Sequence, residues 1–396
     1  MKAIKLTLAG LLISSSQMSL AAPSLEQMWE TLQKQQKQIE KLSKENKQLS
    51  EQLEVSMDVA EKASSKPASH HGSKGETSIG GYGELHFNSI ENQDNEIDFH
   101  RFVLFFGHEF NDDIRFFSEL ELEHSIAGDD KTGEIELEQA YIEMDLNEQH
   151  SAKAGVFLIP VGIINETHEP NTFYGVERNP VEKDIVPATW WEGGVALTGR
   201  LGSGFSYDLA YSSGLAVPTT GSNAYKVRSG RQKVGNAKAN DGAITGRVKW
   251  TGMPGLELAA TVHHQNDLTQ SQGVAGTETS ATLFETHAIY QKGPYGLRAL
   301  YARWDLDGAS AAAVGRDEQV GWYIEPSFRI SPQWGVFARY NKWDNNAGDA
   351  ADTEKKQTNV GVNYWPHENV VMKLDVQRQS GAADTDGFNL GVGYQF

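Results

Sequence analysis

The sequence predicts an all-β transmembrane barrel of about sixteen antiparallel strands, preceded by a short α-helical coiled coil. Three observations predict it. From Ser78 to Phe396 apolar and polar residues alternate in segments of about ten to fourteen residues. Tight and long connections alternate between these segments, and aromatic residues gather beside the tight ones. Successive side chains of a strand point to opposite faces, so a strand between lipid and water is written as one oily and one polar residue in turn.

Lys2 and Lys5 precede an apolar run from Leu6 to Ile13 and then Ser19-Leu20-Ala21, which sets small residues three and one positions before a cleavage point. This is the pattern of a secretory signal peptide over residues 1–21, too short to span a bilayer. No later window holds the ~18 consecutive apolar residues of a transmembrane helix. The lack of cysteine agrees with an oxidising compartment. Over residues 22–63 a heptad repeat places Leu25, Leu32, Ile39, Asn46 and Leu53 in one seam position and Met28, Gln35, Leu42, Leu49 and Ser56 in the other. Lys, Glu and Gln fill the intervening positions, so the helices are expected to associate along the stripe, with Asn46 setting register and oligomer state. A single amphipathic helix resting on another surface is the simpler alternative. Residues 64–77, SSKPASHHGSKGET, read as a flexible linker in which His70 and His71 are solvated and ligate no metal.

The barrel occupies residues 78–396. Seven connections are tight, at Asn111 to Asp113, Asn147 to His150, Leu201 to Gly204, Gly252 to Gly255, Lys292 to Tyr295, Ser331 to Gln333 and Pro366 to Asn369. Their Asn, Asp, Gly, Pro and Ser are reverse-turn residues. Eight others alternate with them. Four are long, at Gly162 to Thr189, Gly214 to Asp241, Asn266 to Thr279 and Asp344 to Lys356; four are shorter, near Glu91 to Asn95, Ala127 to Gly133, Asp307 to Gly315 and Gly381 to Asp386. Short turns on one rim and longer loops on the other mark an outer-membrane barrel, and fifteen connections join sixteen strands. Phe110, Phe116, Phe205, Trp250, Tyr290, Tyr295, Phe328, Trp334, Trp365 and Phe396 sit beside the tight turns, as a girdle at one membrane interface would. The final segment, Gly387 to Phe396, has one oily face (Phe388, Leu390, Val392, Tyr394, Phe396) and one small polar face.

A mean hydropathy of −0.49 is too polar for a helical membrane protein and suits a barrel, in which only alternate residues meet lipid. The formal charge of −18 becomes −20 once Lys2 and Lys5 leave, which argues against nucleic acid as a partner. If the apolar register faces lipid, the opposite register lines the lumen. In Val370 to Gln377 that register is Val371, Lys373, Asp375 and Gln377, expected to be wet. The same reasoning turns Arg101, Arg115, Lys153, Arg247, Lys249, Arg298 and Arg339 inward, with Glu119, Glu121, Glu123, Glu143 and Asp145. Acidic residues concentrate on the third and fourth strands and basic ones on later strands, so a transverse field across the channel is expected.

Two loops stand out. Gly162 to Thr189 carries Glu166, Glu169, Glu177, Arg178, Glu182, Lys183 and Asp184, with Phe173 and Tyr174. A loop this long and charged either folds into the lumen as a constriction or covers the mouth; constriction is the expectation. Gly214 to Asp241 holds Lys226, Arg228, Arg231, Lys233 and Lys238 against Asp241 alone, and is expected on the outer surface, gathering anions or binding lipopolysaccharide.

The stretch FHRFVLFFGHEFNDDIRFFSELELEHS, then LEQAYIEM, then KAGVFLIPVGIINETHEPNTFYGVERNP, resembles the phosphate-selective porin O and P family. With the preceding heptads it looks most like the family's trimeric DcaP-like porins, which carry an amino-terminal coiled coil. The resemblance covers nearly all of the mature chain and is most specific from Lys153 to Pro180. It implies a bacterial outer-membrane homotrimer, coiled coil in the periplasm, no cofactor, and passive diffusion of small hydrophilic solutes, anions such as phosphate or carboxylates among them. Inward arginines would guide them, and Arg101, Arg115 and Arg178 match basic positions of the family pattern. The charge departs from that pattern. From Ser78 onward 25 Lys and Arg face 44 Asp and Glu, a balance of −19 that favours a general or carboxylate-preferring pore over a phosphate-selective one.

Two other classes remain to weigh. A barrel hydrolase needs a nucleophile beside a His base, and His86, His263, His264 and His287 lie in no recognisable nucleophile context; His263 and His264, being adjacent, face opposite ways. A structural role, the coiled coil tethering the outer membrane to a periplasmic partner, is compatible with transport.

Overall fold

The computed structural model describes residues 75–125, 133–270 and 276–396. The signal peptide, the coiled coil and nearly all of the linker lie outside these residues. The described chain forms β1 (Thr77–Ile90), β2 (Glu96–Glu109), β3 (Ile114–Glu123), β4 (Ile135–Asn147), β5 (His150–Leu158), β6 (Trp191–Gly202), β7 (Phe205–Ser212) and β8 (Ala243–Met253). It continues with β9 (Leu256–Gln265), β10 (Ser280–Lys292), β11 (Tyr295–Asp307), β12 (Glu318–Arg329), β13 (Trp334–Asp344), β14 (Lys355–His367), β15 (Val370–Gly381) and β16 (Gly387–Gln395). Each strand pairs antiparallel with its sequence neighbours, and β1 pairs with β16, from Tyr82↔Gln395 to Ile90↔Gly387, to close the barrel. Phe396 completes the seam, its backbone N donating to Gly81 at 2.9 Å and its carbonyl accepting from Gly81 at 3.0 Å. Closure leaves no sheet edge, which in lipid would cost several kcal/mol for each unpaired backbone group. No helix among the described residues is long and apolar enough to cross a membrane.

All seven tight connections fall where turn chemistry puts them. Asn111 Oδ1 accepts from the backbone N of Asp113 and Ile114, both at 2.9 Å, and Asn147 Oδ1 does the same for Gln149 and His150. Gly255 closes the β8–β9 turn at φ 79°, and a Cβ there would also run into the Gln291 carbonyl. The longer connections take the other rim, the longest joining β5 to β6 and β7 to β8.

Outward positions are oily: on β15 Met372, Leu374 and Val376 are exposed while Val371, Lys373 and Asp375 are buried. Among the aromatics beside the tight turns Phe110, Phe205, Tyr295, Phe328, Trp334 and Phe396 are exposed. Trp365 departs from that girdle. It shares the parity of Gln357, Asn359 and Asn363 and points inward, edge-on to Tyr174 and under the Arg329 guanidinium at 3.7 Å. Tyr364 takes the outer place, stacked on Trp334 at 4.4 Å.

Much of the interior is filled. An apolar cluster inside the wall joins Phe157, Ile159, Val181, Ile185, Trp190, Leu215, Val217 and Val227 of the two long loops and their flanks, with Leu268 of the β9–β10 connection, to Leu283, Leu300, Trp304 and Tyr323 of the strands. Burying each large side chain contributes about 1.5–3 kcal/mol, which is what draws the loops inward. The inward register of β15 is accordingly dry: Val371, Lys373 and Asp375 are covered, Lys373 Nζ lying 3.6 Å from the Phe173 ring centre.

Candidate functional site inside the barrel

The connection from β5 to β6, residues 159–190, crosses the interior and bonds to inward side chains on most sides. Arg298 of β11 donates to the Thr172 carbonyl at 2.7 Å, Trp304 Nε1 to Ile185 at 2.9 Å, and Arg339 of β13 to Tyr174 and Glu177, each at 3.3 Å. Further round the ring Val176 N donates to Asp375 of β15 at 2.8 Å, and Glu177 accepts from Asn88 of β1 at 2.9 Å and lies 3.0 Å from His86. Glycines of β16 make room there, because a Cβ on Gly391 or Gly393 would press on Val176 or Pro170.

Glu182, in the short helix α1 (Val181–Asp184), organises the loop from within. Its buried carboxylate accepts from Ile163 N at 2.7 Å, Ile164 N at 2.6 Å, Tyr323 Oη at 2.7 Å and Asn179 Nδ2 at 3.2 Å. Burial pushes this carboxyl above the usual range, and these donors oppose the rise. Glu177 is the reverse case: burial raises it, but the bonds from His86 and Asn88 outweigh burial and hold it below the usual range. Lys183 is exposed, and Asp184 offers its carbonyl to Asn345 Nδ2 at 3.0 Å. Glu169 is pushed upward by burial.

Most inward charges meet a partner. Arg101 donates from Nε to Glu84 at 2.5 Å, Arg115 to Glu143 and to Asp145 at 2.7 Å, Arg247 to Glu166 and to Asp208 at 2.8 Å, and Arg339 to Glu325 at 3.1 Å. Lys153 lies over the rings of Tyr141 and Phe157, 5.2 and 5.0 Å from their centres. Lys249 and Arg298 make no ion pair among the described residues. Glu119 accepts from Gln139 at 2.8 Å, and Glu121 is buried.

Between β3 and β4 the register slips at Glu119/Leu120. This bulge lets Glu136 and Glu138 share the interior with Glu143 and Asp145, although their parity differs. Counting every second residue back from Glu143 misses both. The signal is present in the sequence, where the apolar parity jumps from Ile135 and Leu137 to Ile142, Met144 and Leu146.

The connection from β7 to β8, residues 213–242, corrects an expectation: it turns inward instead of lying on the outer surface. Val227 opens a 3-10 turn, η1 (Val227–Gly230), and is fully buried in the apolar cluster. The loop's arginines follow it, while Lys238 stays exposed. Arg228 donates to the carbonyls of Lys183 and of Ala188 at 2.9 Å, and Arg231 to the Thr189 carbonyl at 2.5 Å. Arg178 donates to Thr189 Oγ1 at 2.9 Å, so three guanidiniums converge on one stretch of chain. Burial first, and then the like charge of Arg231, pull Arg228 down to about 10; burial lowers Arg231 against the pull of Glu136 and Glu138. Both stay charged at neutral pH. Lys233 reaches the start of β4, bonding Glu134 at 3.2 Å and Glu136.

Sequence and fold comparisons converge on this architecture. The family described as phosphate-selective porin O and P matches residues 79–386. An uncharacterized protein of Aquifex aeolicus (strain VF5) is 29% identical over 365 residues, covering 81% of this chain and 80% of that protein. The anion-selective porin from Comamonas acidovorans superposes with a TM-score of 0.59 at 12% identity, over 82% of this chain and 100% of that one. The outer membrane channel DcaP of Acinetobacter baumannii gives 0.57 at 12% identity, over 82% and 98%. The trimer form of Vibrio cholerae OmpT gives 0.57 at 13% identity, over 82% and 100%.

Proposed function

The chain belongs to the phosphate-selective porin O and P family, and from that premise we propose how its barrel passes solute. It is an outer-membrane porin, a passive channel for small hydrophilic solutes that favours anions. The observation that carries the finer reading is the charge arrangement where the two long loops meet inside the barrel. Arg178, Arg228 and Arg231 donate only to neutral oxygens among the described residues, so none of them sits in a direct ion pair there. Arg231 feels Glu123, Glu134, Glu136 and Glu138 of the β3–β4 wall. A solute entering between them crosses a transverse field, with loop arginines as the cationic side. Phosphate and small carboxylates fit such a pair of guanidiniums by shape as well as charge. The barrel's balance of −19 limits the preference to a weak one, with carboxylates ahead of phosphate.

Residues 159–190 act as the constriction, and Lys153, Lys249 and Arg298 continue the cationic path toward the tight-turn rim beside the paired Arg101, Arg115, Arg247 and Arg339. Three copies assemble in lipid and lipopolysaccharide, held by a periplasmic coiled coil of residues 22–63; the Vibrio cholerae OmpT of like fold, described in a trimer form, supports this reading. The test is the reversal potential across a salt gradient in a planar bilayer. The native pore reads weakly anionic, and Arg228→Ala with Arg231→Ala moves it toward cations. An unmoved potential in a variant that still conducts overturns the assignment.

A further inference from the structure

His168 descends on the loop after β5 and stops between two glutamates of neighbouring strands. Its Nε2 lies 3.4 Å from Glu119 Oε1 of β3 and 3.3 Å from Glu138 Oε2 of β4. All three side chains are buried, with residue exposures of 2%, 2% and 1% for His168, Glu119 and Glu138. Neither contact is aligned as a hydrogen bond. His168 Nε2 and Glu138 Oε2 are buried polar atoms without a hydrogen-bond partner, an arrangement that costs about 1–3 kcal/mol per atom in general and demands an explanation.

We propose that Glu119, Glu138 and His168 form a site for one divalent transition-metal cation, Zn2+ by preference, which fastens the loop to the barrel wall. Separations of 3.3 and 3.4 Å match the edge of a tetrahedron whose metal–ligand bonds are about 2.0–2.1 Å, the range for Zn–N and Zn–O. One imidazole with two carboxylates is a donor set for Zn2+ and its first-row neighbours; Ca2+ and Mg2+ take oxygen alone. The surrounding groups hold the ligands in a binding posture. His168 Nδ1 is 3.2 Å from the Asn165 carbonyl, which can only accept, so in the neutral ring the proton sits on Nδ1 and the Nε2 lone pair faces the carboxylates. The second oxygen of Glu119 accepts from Gln139 Nε2 at 2.8 Å, leaving Oε1 for a cation. Charge points the same way. Glu121, also buried and with one oxygen unpartnered, lies beside Glu138, and the nearby Arg101, bonded to Glu84 and to the His168 carbonyl, sets one guanidinium against the buried carboxylates of Glu84, Glu119, Glu121 and Glu138. A dication offsets that excess of buried carboxylate. The ligands come from three separated segments and include one histidine, so no spacing in the sequence announces them.

The site is independent of the transport reading, because it is read by metal content and not by conductance. Protein refolded in detergent with ZnCl2, then dialysed against metal-free buffer, retains about one Zn2+ per chain by elemental analysis. Refolding with Co2+ gives the visible absorption of a low-symmetry His–carboxylate complex, and Zn2+ raises the thermal transition relative to EDTA. His168→Ala and Glu138→Gln each weaken metal retention by at least about a hundredfold, since loss of a second-shell partner alone costs 10–100-fold. The Co2+ spectrum of the native chain keeps the test decisive if a variant does not fold. Native protein that takes up neither ion stoichiometrically overturns the site in favour of an imidazolium bridging two carboxylates. Equal retention by His168→Ala overturns it as well.

Discussion

Glu182 shows what one side chain does in this interior. Its carboxylate gathers two backbone donors, a tyrosine hydroxyl and an asparagine amide from both ends of the loop and from β12. Replacing it with alanine strands those donors in a dry setting, and removing one partner of a buried charged network costs about 3–5 kcal/mol. Glu182→Ala therefore releases residues 159–190 from the wall without opening the barrel. Limited proteolysis of folded protein checks this: cleavage within the loop accelerates at least tenfold while heat-modifiable migration of the barrel is retained, and Glu182→Gln, which keeps one accepting oxygen, falls between. Loop cleavage at the native rate in the alanine variant would show that the apolar cluster alone holds the loop.

At the level of elements, strands and turns were legible because their determinants are local. Asn111 and Asn147 cap their turns from within, and the alternation of Met372, Leu374 and Val376 with Lys373 and Asp375 assigns the faces of β15 without reference to anything else. Three things were less legible. The bulge in β4 shifts parity at a point that only pairing with β3 fixes, which hid Glu136 and Glu138. Trp365 looks like a girdle aromatic until Tyr174 offers it an inner face. The loop 213–242 looks like a solvated basic loop until Val227, Leu215 and Val217 find the apolar cluster of its neighbour. Each is a tertiary choice between two locally equivalent placements. The amino-terminal heptads raise an element-scale prediction of their own. On the proposed assembly, deleting residues 25–63 removes the heptads from Leu25 to Ser56, and trimers of the truncated chain are expected to dissociate at lower temperature in mild detergent than trimers of the native one. Identical dissociation would assign assembly to the barrel walls.

At the scale of the whole molecule, a ring of sixteen hydrogen-bonded strands separates an oily outside from a charged inside, and two loops narrow that inside from one rim. Many inward charges are settled in pairs, and on the proposed transport reading cations outside such pairs, among them Arg178, Arg228, Arg231, Lys249 and Arg298, are what a passing anion meets. Transport as proposed requires an aqueous path beside the filled apolar flank. That division is the central claim, and single-channel recording of the purified protein in a planar bilayer tests it most directly. The account predicts discrete, ohmic conductance steps, arriving in threes as trimers insert. Insertion into the bilayer without any ionic current would contradict it.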